Sequence, residues 1–278
     1  MGLRGAEQHV CNAIAARRKD LLADLVLHVG LATGGGNVAA LDRTRELLTT
    51  RASKLGATIE ILRGDRRPAW LWGETKGTQA PPASANPPPP LGGGTETPIA
   101  VCRRPTGAGR PLLIAGHLDT VHDPNGPFRE LMFSADGKRA VGPGCVDMKG
   151  GLVAALVALE CLDQCNVRLP WTLLLNSDEE SGSFASSRII FEEAARVAKL
   201  GGSGIALEPG GPNGELITER AGSAQFFIEV RGRAAHVGRD FAAGISAVYI
   251  LADLILKAAS LGNPSRRVYV VDCPPSIR

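Results

Sequence analysis

The sequence predicts an α/β protein built on a mainly parallel or mixed sheet that is flanked by helices. Short, continuously apolar runs at 112–115 and 172–175 are typical of strands buried on both faces of a sheet. A helical run at 151–162 lies between them, and another at 184–200 precedes a further strand at 204–207. Strands that alternate with helices in this way favour parallel pairing, with helices on both faces of the sheet.

The region before this core is predicted to be mostly helical. Apolar residues recur at helical spacing from residue 6 to about residue 29, and a second helical stretch covers 38–54. Alternating apolar residues over 57–61 predict a strand. Between 77 and 94 the chain is rich in Pro, Ala and Gly, a composition that predicts a loop or linker without regular backbone pairing.

A second, smaller α+β domain is predicted to begin near residue 218. A strand over 224–230, an amphipathic helix over 245–259 and the opening of another strand at 268–271 support this reading. We therefore expect a main domain over 1–217 and the start of the smaller domain over 218–278.

Composition excludes some classes of protein. The 278 residues are 44% hydrophobic and 21% charged, and the formal net charge of +3 comes from scattered residues rather than from a basic stripe. The composition therefore predicts no nucleic-acid partner. No apolar run is long enough for a membrane span, so no membrane partner is expected. Six cysteines are too sparse for a disulfide scaffold, and the first 20 residues lack an apolar signal region, so a cytoplasmic location is predicted.

Acidic side chains and a histidine follow the predicted strands or open the helix between them. They are His117, Asp119, Asp147, Asp178, Glu179, Glu180 and Glu208. Ligands of open α/β sheets gather at the carboxyl ends of the strands. Taken singly, such residues are usually structural, as helix caps or solvated surface acids. Together at one edge of a sheet they would repel one another unless cations were bound, so the sequence predicts a metal site.

Charge balance favours two metal ions at this site. Asp147, Glu180 and Glu208 bring three negative charges, which two divalent cations and a hydroxide ion would neutralise. Imidazole and carboxylate ligands suit zinc or a similar first-row ion better than calcium. Zn²⁺ is therefore the expected cofactor, with Co²⁺ or Mn²⁺ as alternatives.

Five segments, in order along the chain, resemble the M20 metallopeptidase family, which includes glutamate carboxypeptidase-like enzymes, succinyl-diaminopimelate desuccinylase and aminoacylase. The segments are GHLDTV at 116–121, GPGCVDMKGG at 142–151, NSDEESGS at 176–183, LEP at 207–209 and GRAAH at 232–236. The resemblance implies a sheet of the zinc-exopeptidase type, a smaller lid or dimerisation domain, and a homodimer of the full-length protein.

The resemblance also implies a ligand set for two zinc ions. His117 and Glu208 would hold one zinc ion, Glu180 would hold the second, and Asp147 would bridge both. The family's second zinc has a further, late histidine ligand, and no histidine of this sequence has the setting to replace it. We therefore expect a chain truncated at its C-terminal side, and an incomplete active site.

Three further residues receive catalytic roles from the resemblance. Glu179 would be the general base that takes a proton from the attacking water and passes it to the leaving nitrogen. Asp119 would accept the second N–H group of His117 and so fix the tautomer of the ring. His236, in the smaller domain, would steady the negative oxygen of the reacting carbonyl.

The function expected from these residues is hydrolysis of an amide bond in a small peptide or an N-acyl amino acid, as in a carboxypeptidase or deacylase. Two alternatives stay open at this point. Similar carboxylate clusters serve two-metal phosphoester hydrolases. A protein that binds metal without catalysing a reaction would present the same residues.

Overall fold

The computed structural model describes residues 5–34, 36–66, 98–220, 228–263 and 265. The helices are α1 (Gly5–Ala16), α2 (Arg18–Gly30), α3 (Val38–Lys54), α4 (Gly150–Gln164), α5 (Ser187–Lys199) and α6 (Ala247–Ser260). The strands are β1 (Thr58–Arg63), β2 (Pro98–Arg104), β3 (Leu112–His117), β4 (Met132–Phe133), β5 (Ala140–Val141), β6 (Trp171–Asn176) and β7 (Ser203–Ala206). The predicted linker over 77–94, most of the predicted strand over 224–230 and the strand at 268–271 lie outside the described residues.

The principal sheet is mixed and has five strands in the order β1-β2-β6-β3-β7. β3 runs parallel to β6 and to β7, whereas β2 runs antiparallel to β1 and to β6. The register of β3 on β6 places His117 opposite Asn176. The carboxyl ends of β3, β6 and β7 therefore meet at one edge of the sheet. β4 and β5 form a separate two-stranded ribbon.

Side chains of β6 divide the core between the two faces of the sheet. All six residues of the strand are buried, as its apolar run predicts. Leu173 and Leu175 belong to a cluster with α3 and α4, represented by Leu48 and Leu156. Leu174 points to the opposite face and belongs to a cluster with α5. The predicted arrangement of helices on both faces of the sheet is thus confirmed.

Three details differ from the sequence-based expectation. The strand β2, which lies between β1 and β6, was not predicted. Its short apolar run directly follows a long segment rich in Pro and Gly, which obscures the strand pattern. β7 was expected to resemble the buried strands, but it is an edge strand with four exposed residues. The helix predicted from residue 184 begins at Ser187. The residues before it instead close a loop around a buried carboxylate, described below.

The chain divides into two compact units. The first contains the described residues up to Glu219, including the whole five-stranded sheet. The second contains residues 228–263, in which a short helical turn at Phe241–Ala243 precedes α6. Ser246 caps α6 by accepting the N–H group of Tyr249. Among the described residues, no helix is both long enough and apolar enough to cross a membrane.

Candidate metal centre

His117 forms the floor of a cluster of acids at the carboxyl end of β3. Only 1% of its side chain is exposed. Its Nδ1 atom lies 2.9 Å from the backbone carbonyl oxygen of Asp119. On the other side of the ring, Nε2 lies 2.9 Å from Oδ1 of Asp147 and 3.8 Å from Oε1 of Glu208. The ring is thus held at one nitrogen and presents the other to carboxylates.

Asp119 connects the end of β3 to the segment that follows β6. Its buried carboxylate accepts the backbone N–H groups of Glu179, at 3.3 Å, and of Glu180, at 3.0 Å. The carboxylate was expected to accept the N–H group of His117, but Oδ1 lies 3.5 Å from Nδ1, farther than the carbonyl oxygen of Asp119 itself. Asp119 therefore orients the imidazole mainly through its backbone and the two glutamates through its side chain.

Asp147 lies on a tight turn before α4. Gly144 opens this turn with φ of 65°, a left-handed conformation that glycine adopts without steric cost. The N–H group of Lys149 closes it on the carbonyl oxygen of Gly144 at 2.9 Å. Met148 points inward, where its sulfur accepts the N–H group of His117, and the Asp147–Met148 peptide bond is cis. The turn is thereby attached to β3 and presents the Asp147 side chain, which is 52% exposed, outward.

Asp178 organises the loop that bears the two glutamates. Its fully buried carboxylate accepts the N–H groups of Ala185, at 2.7 Å, and of Ser186, at 3.3 Å. Its own carbonyl oxygen accepts the N–H group of Ser183 at 2.7 Å. The loop from 178 to 186 is therefore closed on itself, and Glu179 and Glu180 begin a short helical turn inside it.

The structure brings the predicted ligands together. In two overlapping groups, each residue offers a ligand atom within 4.8 Å of the others: one contains His117, Glu179 and Glu208, and the other contains His117, Asp147 and Glu180. Glu179, expected to be a base, thus lies as near to His117 and Glu208 as a ligand would. Asp147 joins the imidazole on the side of Glu180.

The electrostatics of the cluster reflect its crowded negative charge. Burial, and next the negative charge of Asp147, raise the pKa of Glu180 to about 7. Burial alone would lower the pKa of His117, but the hydrogen bond and charge of Asp119, together with Asp147, raise that pKa to about 9. Both shifts show carboxylates that compete for too little positive charge. A divalent cation would supply that charge, so the donor set fits a metal ion.

His236 lies in the second unit and is exposed. Its backbone N–H group donates to Oδ1 of Asp240 at 2.7 Å, and its Nδ1 accepts the N–H group of Gly238 at 3.1 Å. These contacts form a local turn that fixes one ring nitrogen as an acceptor. The Nε2 atom is left as the nitrogen that can carry a proton.

Sequence reasoning gave no specific role to two buried charged residues beside the cluster. Asp178 could have been recognised from its place between a buried strand and a turn, where a carboxylate commonly satisfies backbone N–H groups. Lys149 is 1% exposed, and burial lowers its pKa to about 8. Its signal was a lysine between a methionine and a glycine pair at the start of an apolar helix, which suggests that the side chain cannot reach solvent.

The comparisons with known proteins agree with the motif resemblance. Residues 113–260 match the peptidase family M20/M25/M40 over more than half of the chain. The chain belongs to this family. Its M20 relatives include a carboxypeptidase G2 from Pseudomonas sp., which is 32% identical over 163 residues, or 58% of this chain and 38% of the relative.

Two further relatives extend the comparison. An acetylornithine deacetylase from Salmonella arizonae is 31% identical over 148 residues, or 52% of this chain and 36% of the relative. The solved structure of the dipeptidase Dug1p from Saccharomyces cerevisiae matches with a TM-score of 0.52 at 15% identity, covering 67% of this chain and 38% of that one. This structural likeness shows the fold alone. The chain spans less than two fifths of the length of each of these three relatives.

Proposed function

We propose that this chain supplies the metal-binding core of a hydrolase that cleaves an amide bond of a peptide or an N-acyl amino acid. The observation on which the proposal depends is the convergence of one buried imidazole and four carboxylates at the edge of the sheet. The relatives named as a carboxypeptidase and a deacetylase support an amide as the bond that is cleaved.

The proposed ligands are His117, Asp147, Glu180 and Glu208, with two zinc ions as the cofactor and Asp147 shared between them. When bound, divalent cations polarise a substrate carbonyl and ease the ionisation of water. Two of the four side chains limit where a substrate can approach. Since His117 is buried and Asp147 is half exposed, the substrate would enter from the side of Asp147.

Glu179 is the proposed general base. It follows the fully buried Asp178 and its N–H group is held by Asp119, so its backbone is fixed while its carboxylate faces the cluster. Glu179 would take a proton from water and deliver it to the leaving nitrogen, because the nitrogen departs readily only as a neutral amine. His236 is proposed to donate a hydrogen bond from Nε2 to the carbonyl oxygen as negative charge develops there.

The proposal also covers the domain organisation, the assembly and the cellular location. The unit up to Glu219 would be the catalytic domain and the unit that contains α6 the beginning of a lid or dimerisation domain, with a homodimer as the assembly. The described cysteines are all free thiols, which supports a reducing compartment such as the cytoplasm. Sedimentation of the full-length protein would test the dimer.

The proposed function is tested by metal analysis and by two substrates. Purified protein, reconstituted with zinc and dialysed, should retain zinc, and a full-length version should hydrolyse an N-acyl amino acid but not a generic phosphodiester. Glu179→Gln should remove turnover and leave the zinc content unchanged. Hydrolysis of the phosphodiester instead of the N-acyl amino acid would favour the alternative, a two-metal phosphoesterase. Absence of bound zinc after reconstitution would refute the proposal.

A further inference from the structure

Lys149 lies two residues after Asp147, and its side chain runs into the interior behind the turn. Its Nζ atom donates to the backbone carbonyl oxygen of Leu31 at 2.6 Å. The stem of the side chain packs beneath the opening of the turn: a Cβ atom built on Gly144 would lie 3.3 Å from the Cε atom of Lys149. The lysine is therefore enclosed by the turn on one side and by the segment at Leu31 on the other.

Leu31 is the C-cap residue that directly follows α2. The last carbonyl groups of a helix lack partners within the helix and lie at the negative end of its dipole, so a cationic donor is favourable there. Three residues later, Gly34 pairs with Thr120 in an isolated parallel bridge. Lys149 thus joins the Asp147 turn to a segment that is itself paired with the residue after Asp119.

The turn is also held next to Asp147 by Met148, whose buried sulfur accepts the N–H group of His117. The backbone of Asp147 has φ of −118° and ψ of 96°, outside helical values, so the residue is not held by regular helix geometry. The turn is closed by the hydrogen bond between the Lys149 N–H group and the Gly144 carbonyl oxygen. After Asp147 the turn is therefore held at two residues: Met148 attaches it to β3, and Lys149 closes it through its backbone and anchors it to Leu31 through its side chain.

We propose that Lys149 is a positioning residue, which fixes the carboxylate of Asp147 for metal binding by anchoring its turn to the C-terminus of α2. The proposal rests on the proposed function insofar as Asp147 is a ligand. The anchoring contact itself does not depend on that function, and the two can be tested separately.

The first measurement uses metal-free protein and hydrogen exchange followed by mass spectrometry. Lys149→Met retains the length and packing of the side chain but removes the donor. Peptides that cover 142–150 should exchange faster in this variant, while peptides from β6 keep their protection. Lys149→Arg, which keeps a cationic donor, should restore slow exchange. Lys199→Met, at an exposed lysine that ends α5, is the matched control and should match the unaltered chain.

The second measurement is zinc affinity, by competition with a chromophoric chelator. Residues that orient a ligand typically change metal affinity by roughly 10- to 100-fold, so Lys149→Met should bind zinc more weakly by about that factor and Lys149→Arg by less. Thermal unfolding of the same variants shows whether the fold is retained.

Each outcome decides one of the two proposals. Unchanged exchange in Lys149→Met, or faster exchange with unchanged zinc affinity, overturns the positioning role and leaves the proposed function standing. Loss of cooperative unfolding in both Lys149 variants assigns the lysine to core stability and also overturns it. If the unaltered chain binds no zinc, the proposed function fails, and the exchange measurement alone decides whether Lys149 anchors the turn.

Discussion

The carboxylate of Asp119 accepts the backbone N–H group of Glu180 at 3.0 Å. The same carboxylate accepts the backbone N–H group of Glu179. The backbone carbonyl oxygen of Asp119 lies within hydrogen-bond distance of Nδ1 of His117. One residue therefore sets the relative position of an imidazole from β3 and two glutamates that follow β6. The two halves of the candidate centre are joined through a buried side chain as well as through the sheet.

Asp119→Asn should weaken zinc binding by roughly 10- to 100-fold, the usual effect of removing a group that orients ligands. The two backbone N–H groups are accepted by different carboxylate oxygens, and asparagine replaces one of these oxygens with a donor amide, so one of the two hydrogen bonds is lost in place. Competition with a chromophoric chelator would measure the change. Asp123→Asn, at an exposed carboxylate in the next loop, is the control. Equal affinities for both variants would show that Asp119 does not organise the ligands.

Zinc should stabilise the fold, because it neutralises carboxylates that otherwise repel one another. At free zinc about 100-fold above the dissociation constant, the free energy of unfolding should rise by about 2.7 kcal/mol. Thermal unfolding with zinc and with a chelator measures this rise. Glu208→Gln should reduce it, whereas Glu46→Gln, on the exposed face of α3, should not. A rise that is insensitive to Glu208 would mean that zinc binds elsewhere.

Asp178→Asn should lower the free energy of unfolding by roughly 1–3 kcal/mol, because a buried acceptor of two backbone N–H groups loses its charge. Urea unfolding at neutral pH would measure it. Asp136 offers a useful contrast, since it also accepts a backbone N–H group, that of Lys138, but is fully exposed. Asp136→Asn should have a much smaller effect. Similar losses in the two variants would contradict the role given to burial.

His28 should contribute a part of the stability that is lost in acid. This residue is 3% exposed, and burial, with Arg51 and Lys149 acting against the charge of Asp24, lowers its pKa from 6.5 to about 4. Between pH 6.5 and pH 4, His28 is therefore protonated in the unfolded chain but neutral in the folded chain. The contribution of His28 to the free energy of unfolding is fully present above pH 6.5 and is lost as the pH drops toward 4, by about 3 kcal/mol in total.

Urea unfolding of metal-free protein at pH 7 and pH 5 would measure this dependence. His28→Leu, which keeps an apolar group in the same space, should flatten the part of the pH dependence that His28 causes. His9→Leu, at an exposed position of α1, should leave it unchanged. If the two variants showed the same slope, the acid sensitivity would arise from other groups.

Much of the fold could be predicted from the sequence, because periodicity reports burial. α3 has the bounds that its apolar spacing predicts, and β6 is buried on both faces, as its unbroken apolar run indicates. β2 and the exposure of β7 were not predictable in this way. Whether a strand lies at the centre or the edge of a sheet depends on pairing between distant segments, which a local pattern does not contain.

The clustering of the proposed ligands was predicted from strand ends and motifs, and Asp119 was predicted to support His117, but the long-range contacts that support the cluster were not. His117, Asp147 and Glu180 follow from their places next to strands and a glycine-rich turn. The contact of Lys149 with Leu31 joins residues 118 positions apart, and that of Asp119 with Glu180 joins residues 61 apart. Spacing along the chain carries no information on such contacts, so they required the structure.

The pairing of β3 with β6 has a consequence for how the protein folds. Successive side chains of a strand face opposite sides of a sheet, so a slip of one residue in this pairing would turn His117 away from the acids. The proposed metal ion would then find the carboxylate ligands without the imidazole nitrogen of His117. Capture of the proposed metal ion would therefore require the correct alignment, and the d–d absorption of cobalt would report when, during refolding, that alignment is reached.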